Sequence, residues 1–281
     1  MAFFDRLADR IRDRDTLVSV GLDPDPDRLP DEAHDHDLPR WAFTRRIVDR
    51  THRHAAAFKP NAAFYEDPDG WRALEKTVAH AREQGVPVLL DAKRADIGNT
   101  SRRYADLLDL ADAITVNPYL GEDALSPFLS REDAGVFVLC RTSNPGGGDL
   151  QKVRLRSGDR VYEHVAGLAD DWADRNNVGL VVGATATGEL ERVRELVPGL
   201  PFLVPGVGAQ GGDVEAAVEY GPSTRHPSAV ERGVGVGLVN STRGIIFAGE
   251  KTGATGLDGY ARAAEDAAMQ LKQQLNRAQS P

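Results

Sequence analysis

Short apolar runs rich in β-forming residues alternate along the chain with longer amphipathic stretches, and this alternation restricts the fold more than any other feature. The runs occupy residues 17–20, 56–59, 86–90, 113–116, 135–139, 178–182, 201–204 and 234–239, which matches the about eight strands of a closed barrel. Between them, stretches such as 41–54, 69–84 and 160–175 carry charges on one face and Ala, Val, Leu or Trp on the other, the pattern of helices laid on a core. Strand and helix in alternation imply parallel strands joined by crossover helices. An open, doubly wound sheet would show the same periodicity, so the positions of polar residues must decide. Nearly every run ends in a polar cluster: Gly21-Leu22-Asp23, Lys59-Pro60-Asn61, Asp91-Ala92-Lys93, Asn117-Pro118, Arg141-Thr142-Ser143, Pro205-Gly206 and Asn240-Ser241-Thr242-Arg243. Functional groups supplied by the carboxyl ends of many strands are what a barrel uses to build one site. The expectation is an α/β chain folded as a (β/α)8 TIM barrel in a single domain over 1–281, with an N-terminal helix at about 2–15, the barrel at about 16–250 and a C-terminal helix at about 257–277.

Barrels of this kind commonly reach 281 residues as one unit, and 41% hydrophobic residues suffice for a sizeable core. A formal net charge of -9 argues against partners such as nucleic acid or an anionic membrane surface. Any anionic ligand must therefore be held by a local site. Only six of the 34 basic residues are Lys, a bias that fits either a salt-rich cytoplasm or a genome favouring Arg codons. The first residues alternate acids and bases without an apolar leader core, and no stretch approaches the about 20 apolar residues of a membrane span, so a cytoplasmic location is expected. The lone Cys140 follows an apolar run and reads as a core thiol. Three polar stretches, 24–40, 144–159 and 221–233, are long enough to be insertions; the first two are possible lids and the third a surface loop.

The segment Asp91-Ala92-Lys93-Arg94-Ala95-Asp96-Ile97-Gly98-Asn99-Thr100 follows an apolar run. On an extended backbone residues two apart point to one face, so Asp91 and Lys93 are placed together. Asp96 falls beyond, on the loop, while Lys59 ends an earlier strand with Asn61 two residues on. Four alternating charges could converge at one mouth. A structural ion pair between Asp91 and Lys93 is the plain alternative. Two lysines and two aspartates in an apolar barrel favour chemistry, because buried charges are costly unless matched, and a balanced set shifts the pKa of its members.

A phosphate site is signalled independently. The seventh run leads into Pro205-Gly206-Val207-Gly208-Ala209-Gln210-Gly211-Gly212 and the eighth into Ser241-Thr242-Arg243-Gly244. Glycines admit backbone N–H groups to an anion, and Arg243 supplies a bidentate partner. Gly206, Gly208 and Gly211 also spell a dinucleotide fingerprint, but it sits in the seventh unit rather than the first, and Glu231 lies before a strand rather than at its end. No histidine shows metal-ligand spacing and no Gly-x-Ser-x-Gly elbow occurs, so neither metal nor cofactor is expected.

These residues resemble the orotidine 5′-monophosphate decarboxylase family, specifically its longer-chain branch. The likeness runs from Gly21-Leu22-Asp23-Pro24 through Phe58-Lys59-Pro60-Asn61, Asp91-Ala92-Lys93-Arg94-Ala95-Asp96-Ile97-Gly98, Thr142-Ser143-Asn144 and Pro205-Gly206-Val207-Gly208-Ala209-Gln210 to Ser241-Thr242-Arg243-Gly244. The resemblance implies a cofactor-free carbon–carbon lyase that converts orotidine 5′-monophosphate to uridine 5′-monophosphate and carbon dioxide. Lys93 would protonate C6, with Lys59, Asp91 and Asp96 as the surrounding charges. It further implies a homodimer in which Asp96 and Thr100 cross to the partner's site. Asp23 and Lys59 would hold ribose hydroxyls, Ser143 would face the pyrimidine, Gln210 and Arg243 would grip the phosphate, and Asn61, Ile97 and Pro205 would also line the substrate. Three other readings remain open: a metal-dependent sugar-phosphate decarboxylase or aldolase of the same barrel group, an aldolase with Lys59 or Lys93 as a Schiff-base lysine, which the flanking aspartates disfavour, and a non-catalytic phosphometabolite-binding barrel.

Overall fold

The computed structural model describes residues 1–185, 187–207 and 212–279. Eight strands, β1 (Val18–Leu22), β2 (Ala57–Pro60), β3 (Leu89–Arg94), β4 (Ala113–Val116), β5 (Gly135–Arg141), β6 (Val178–Val182), β7 (Phe202–Pro205) and β8 (Leu238–Ser241), form one sheet in the order β2-β1-β8-β7-β6-β5-β4-β3. Every ladder in it is parallel. The two end strands meet through the bridges Phe58–Val88 and Asn61–Asp91 and a hydrogen bond from the Phe58 N–H to the Pro87 carbonyl at 3.0 Å. The sheet therefore closes into the expected barrel.

Most strand positions are buried because the barrel interior covers one face and the crossover helices the other. The helices end where their sequences dictate. Asp67 caps the helix Pro68–Glu83 through the Gly70 N–H, and Asp213 caps Val214–Tyr220 through the Ala216 N–H. The C-terminal helix Gly256–Gln279 packs on the helix Pro39–Thr51.

Two strand boundaries differ from the sequence expectation. Strand β3 starts at Leu89 and runs on to Arg94, past the charged residues taken for its end. Strand β8 starts only at Leu238, since Val236 pairs antiparallel with Ser223 and so belongs to the preceding insertion. The alternating Val and Gly of 234–237 look alike in a β-period and an irregular edge, so hydrophobicity alone misplaces the start.

That third insertion lies at the barrel's floor, far in the fold from the polar strand ends. The N-terminal helix Phe3–Arg14 plugs the floor, with Phe3 and Phe4 edge-on to Phe137 of β5 at 6.0 and 5.6 Å. Residue 135 must be small there, because a Cβ on Gly135 would lie 2.4 Å from the Phe3 ring. The insertion clamps this helix: the buried His226 ring sits 4.9 Å from that of Phe4, Ser228 Oγ donates to Asp5 at 2.8 Å, and Arg232 pairs with Asp9 at 2.9 Å. The first insertion, 24–40, instead ties β1 to the C-terminal segment. Its Arg28 lies 4.0 Å over the Phe247 ring and bonds Glu250 at 2.7 Å, and Glu32 accepts the Leu257 N–H at 2.8 Å.

Phe4→Ala removes a fully buried ring from the floor and is expected to cost about 3–5 kcal/mol of stability. Urea unfolding followed by circular dichroism measures this, and an unchanged midpoint would show that the helix is not part of the cooperative core.

Candidate active site

The carboxyl ends of the strands carry the charges. Asp91 accepts from Lys59 Nζ through Oδ2 at 2.8 Å and from Lys93 Nζ through Oδ1 at 2.5 Å. Lys59, on β2, is buried with its side chain 5% exposed; Asp91 is 13% exposed and Lys93 47%. Lys93 thus presents the accessible cation of the three, and Lys59 the enclosed one.

Simple alternation along β3 does not explain how Lys93 arrives there. Its backbone has φ +50°, and the register with β4 shifts between Leu90 and Arg94. A left-handed conformation costs a residue with a side chain about 1–2 kcal/mol, so neighbours must hold it. Thr115 of β4 does so by accepting the Lys93 N–H at 2.9 Å, while its own hydroxyl donates to Asp91 Oδ1 at 2.9 Å. The bulge turns the chain and the threonine pins both members of the pair. Sequence reasoning missed Thr115, although it is the single polar residue in the apolar run Ala113-Ile114-Thr115-Val116.

Asp23, following β1, completes the cluster from another side. Its carboxylate accepts the Asn61 N–H and lies within the field of Lys59, Asp91 and Lys93, yet its Oδ1 is buried without a hydrogen-bond partner. Tyr65 braces this strand end by donating its hydroxyl to the Leu22 carbonyl at 3.0 Å. The Asn61 side chain caps a local turn, accepting the Ala63 N–H at 3.2 Å, so its backbone rather than its amide reaches Asp23.

These placements shift the protonation equilibria in opposite directions. Burial favours the neutral form of Asp91, but the two adjacent ammonium groups and their hydrogen bonds outweigh it and hold the carboxyl well below the usual range. Burial likewise works against charge on Lys59, and Asp91 and Asp23 overcome it, raising the pKa. For Asp23 burial wins, with help from the negative charge of Asp91, and its pKa rises despite Lys59 and Lys93. Two ammonium groups thus face two carboxylates, with Asp91 saturated and Asp23 left one bond short.

The remaining expected residues surround this cluster unevenly. Ser143 follows β5 and lies flush on the end of β6: a Cβ on Gly183 would come within 2.9 Å of its Cβ and backbone nitrogen. Pro205 ends β7 in register with Asn240 of β8. Beyond it Gly206 has φ +102°, and its carbonyl accepts the Gly212 N–H at 3.0 Å, drawing the two ends of the loop together. Gly208, Gln210 and Gly211 lie outside the described residues. Arg243 opens the short helix Arg243–Ile246, is exposed, and pairs with no carboxylate among the described residues. Behind it, Ser19 donates to Asn240 at 3.1 Å and Asn240 donates to Thr242 at 3.3 Å. Thr242 fits only because residue 21 is Gly, where a Cβ would fall 1.9 Å from its hydroxyl.

Asp96 stands apart. Its carboxylate accepts the Ile97 N–H at 2.7 Å, and no hydrogen bond or ion pair joins it to Lys59, Asp91 or Lys93 among the described residues. Ile97 is 65% exposed and Thr100 is exposed on the helix Gly98–Ala105. Within one chain, three of the four charges expected to converge do so, joined by Asp23. The described residues contain no group of three or more His, Cys, Asp or Glu arranged to hold a metal ion, and no described helix is long and apolar enough to cross a membrane.

Comparison with known proteins bears on this geometry. Residues 16–256 match the family described as "Orotidine 5'-phosphate decarboxylase / HUMPS family". The chain is 66% identical over 277 residues to a protein of Halorubrum lacusprofundi named orotidine 5'-phosphate decarboxylase, covering 98% of this chain and 99% of that one. It is also similar to the solved structure of Leishmania donovani OMP decarboxylase, with TM-score 0.81 and 38% identity over the full length of both chains. A UMP synthase structure from the same organism matches with TM-score 0.81 and 41% identity, and this chain spans 56% of its length.

Opposite stability effects are expected from the two aspartates. Asp91→Ala strands Lys59 in the interior and should cost about 3–5 kcal/mol, whereas Asp23→Asn relieves a buried carboxylate and should raise the thermal midpoint at neutral pH. The Asp91 contribution is complete above the ordinary carboxylate range and fades only as pH falls below it; that of Lys59 is complete below the ordinary lysine pKa and fades as pH rises past it. Thermal scans of the three proteins between these limits test the assignment, and a fall in midpoint for Asp23→Asn contradicts it.

Proposed function

The chain belongs to the orotidine 5′-phosphate decarboxylase / HUMPS family, and from that premise we infer that it decarboxylates orotidine 5′-monophosphate to uridine 5′-monophosphate and carbon dioxide, the last step of de novo UMP synthesis. The observation that carries the chemistry is the Asp91 carboxylate held between the ammonium groups of Lys59 and Lys93.

Loss of carbon dioxide breaks the bond between C6 and the carboxylate and leaves its electron pair on C6. Fixed positive charge must stabilise that pair. Lys93, the more accessible ammonium, lies over C6 and transfers an Nζ proton to it as carbon dioxide departs; the amine left behind regains a proton from solvent. Asp91 keeps Lys93 aimed, and Lys59 neutralises the second oxygen of Asp91. Because both oxygens of Asp91 are already engaged by ammonium groups, the site has no free carboxylate pair for a divalent cation, which disfavours the reading as a metal-dependent sugar-phosphate enzyme.

Substrate fixation uses the groups around this centre. The unpartnered Oδ1 of Asp23 accepts a ribose hydroxyl, with Lys59 beside it. Ser143 meets the pyrimidine edge, and Arg243 takes the phosphate together with Gln210. Pro205, Asn61 and Ile97 line the remaining walls. Enzymes reach accelerations of up to about 10¹⁷-fold, roughly 23 kcal/mol, more than one contact can supply, so phosphate and ribose contacts add to transition-state stabilisation.

Asp96 and Thr100 fit a site shared between two copies of the chain. Both are distant in bonding terms from their own chain's cluster, and exposed Ile97, Tyr119 and Leu120 lie on the same side of the mouth, on the loops after β3 and β4. A homodimer would cover this apolar surface and bring Asp96 to the partner's Lys93.

Wild-type protein is expected to consume orotidine monophosphate, followed by ultraviolet absorbance, at the same rate with and without EDTA. Lys93→Ala should lose at least about 10⁴-fold in kcat, as removal of a positioned general acid and its charge predicts; unchanged turnover would refute the role. Mixing inactive Lys93→Ala chains with inactive Asp96→Ala chains should restore part of the activity if sites are shared, and no recovery after verified subunit exchange rules sharing out.

A further inference from the structure

The loop after β5 is fastened by a polar network that the decarboxylation steps do not call upon. Arg141, the buried last residue of β5, donates through Nε to Glu189 at 3.1 Å and through Nη1 to the Thr142 carbonyl and to Gln151 Oε1, the last at 3.2 Å. The same Gln151 oxygen accepts the Thr142 N–H at 3.0 Å, and Gln151 Nε2 donates to the Thr142 hydroxyl at 2.9 Å. Lys152, next along the loop, pairs with the other oxygen of Glu189 at 2.5 Å. Glu189 therefore binds one cation from the strand and one from the loop, and it belongs to a third element, the helix Thr187–Leu196 that follows β6.

The geometry centres on the residue before Ser143. One amide side chain, Gln151, reaches back across the glycine-rich loop and satisfies both the N–H and the hydroxyl of Thr142. It can do so because position 147 has no side chain: a Cβ on Gly147 would lie 2.9 Å from Arg141 Nη1, from Gln151 Oε1 and from Thr142 Oγ1 alike. On the opposite side Ser143 rests on Gly183, whose N–H donates to the Arg141 carbonyl at 2.8 Å. Ser143 is consequently fixed from two directions, by β6 beneath and by Gln151 through Thr142.

We propose that Gln151 is a positioning residue for the reaction, which, with the Arg141–Glu189–Lys152 ion pairs behind it, holds Ser143 at the height where it meets the pyrimidine edge. The proposal rests on the reading of Ser143 as a substrate contact. Its physical content is preorganisation. The chain's own groups set the loop against the strand end, so the nucleotide need not spend binding energy on ordering it. Gln151 touches no reacting atom and acts only through the backbone it holds.

Steady-state kinetics on orotidine monophosphate with wild type, Gln151→Leu, Gln151→Glu, Ser143→Ala and the double variant Ser143→Ala/Gln151→Leu test this. Gln151→Leu should raise KM about ten-fold with a smaller change in kcat, the scale expected when a supporting hydrogen bond is lost. Gln151→Glu keeps an acceptor for the Thr142 N–H and for Arg141, and should recover most of the loss. Because Gln151 works through Ser143, the double variant should be no worse than Ser143→Ala within about two-fold. Fully multiplicative effects, or wild-type kinetics in Gln151→Leu, overturn the proposal while leaving the assigned reaction intact. A wild-type protein inert toward orotidine monophosphate overturns the assigned reaction, and the proposal with it. Lys152→Met, which cuts the latch from its exposed side, provides the second variant should Gln151→Leu fold poorly; it should raise KM in the same sense, and no change in it would equally count against the proposal.

Discussion

The carboxylate of Asp91 accepts from two ammonium groups at once, and most of the architecture around it can be read as what makes that arrangement tolerable. Taking ions from water into a barrel mouth costs several kcal/mol each unless partners replace the lost hydration. Here Lys59 occupies one oxygen, Lys93 and Thr115 the other. The three anchoring strands, β2, β3 and β4, are neighbours around the ring, with β2 and β3 closed on each other next to the cluster by the Asn61–Asp91 bridge. Closure of the barrel and assembly of the charge cluster are therefore a single event: if the β2–β3 seam opened, Lys59 would lose its partner and the interior would hold an unmatched charge.

The strand-helix alternation was legible from the apolar period, and six of the eight strands fall within two residues of their expected starts. What the period could not reveal is where regularity breaks. Lys93 was expected beside Asp91 because residues two apart share a face of an extended strand, and the two side chains do meet, but through a bulge at φ +50° rather than through alternation. The partner that makes the bulge affordable, Thr115, lies over 20 residues away and is joined only by tertiary structure. Strand β8 was misjudged for a related reason, since Val236 satisfies its backbone in an antiparallel bridge with Ser223 that no local pattern announces. Family resemblance supplied what local reading could not for Asp23, whose significance lies in a missing hydrogen bond.

The insertions divide by the end of the barrel they serve. At the floor, residues 221–233 lock the N-terminal helix by ion pairs and by the contact of His226 with Phe4, and their role is stability. At the mouth, residues 144–159 are joined to β5 and to the helix after β6 by a network that fixes Thr142. This follows the general separation of labour in such barrels, in which carboxyl-end loops carry chemistry and amino-end contacts carry the fold.

The mouth is nevertheless the less satisfied end, and the imbalance is physically informative. Lys93 holds a left-handed backbone, Asp23 keeps a buried oxygen without a donor, and Arg243 has no carboxylate partner among the described residues. The first two cost free energy, and in a protein selected for stability alone each would be easy to remove by substitution. On the proposed reading a nucleotide would supply what two of these groups lack: a ribose hydroxyl would donate to Asp23, and a phosphate would accept from Arg243. A buried group left incomplete, as Asp23 Oδ1 is, gains more from a ligand than a group already paired, because binding relieves a penalty as well as forming a bond. The same logic explains why Asp91 must be the saturated member of the cluster. On the proposed reading, an acid that aims a proton donor has to be committed to it before the substrate arrives, whereas an acid that recognises a hydroxyl has to be kept waiting.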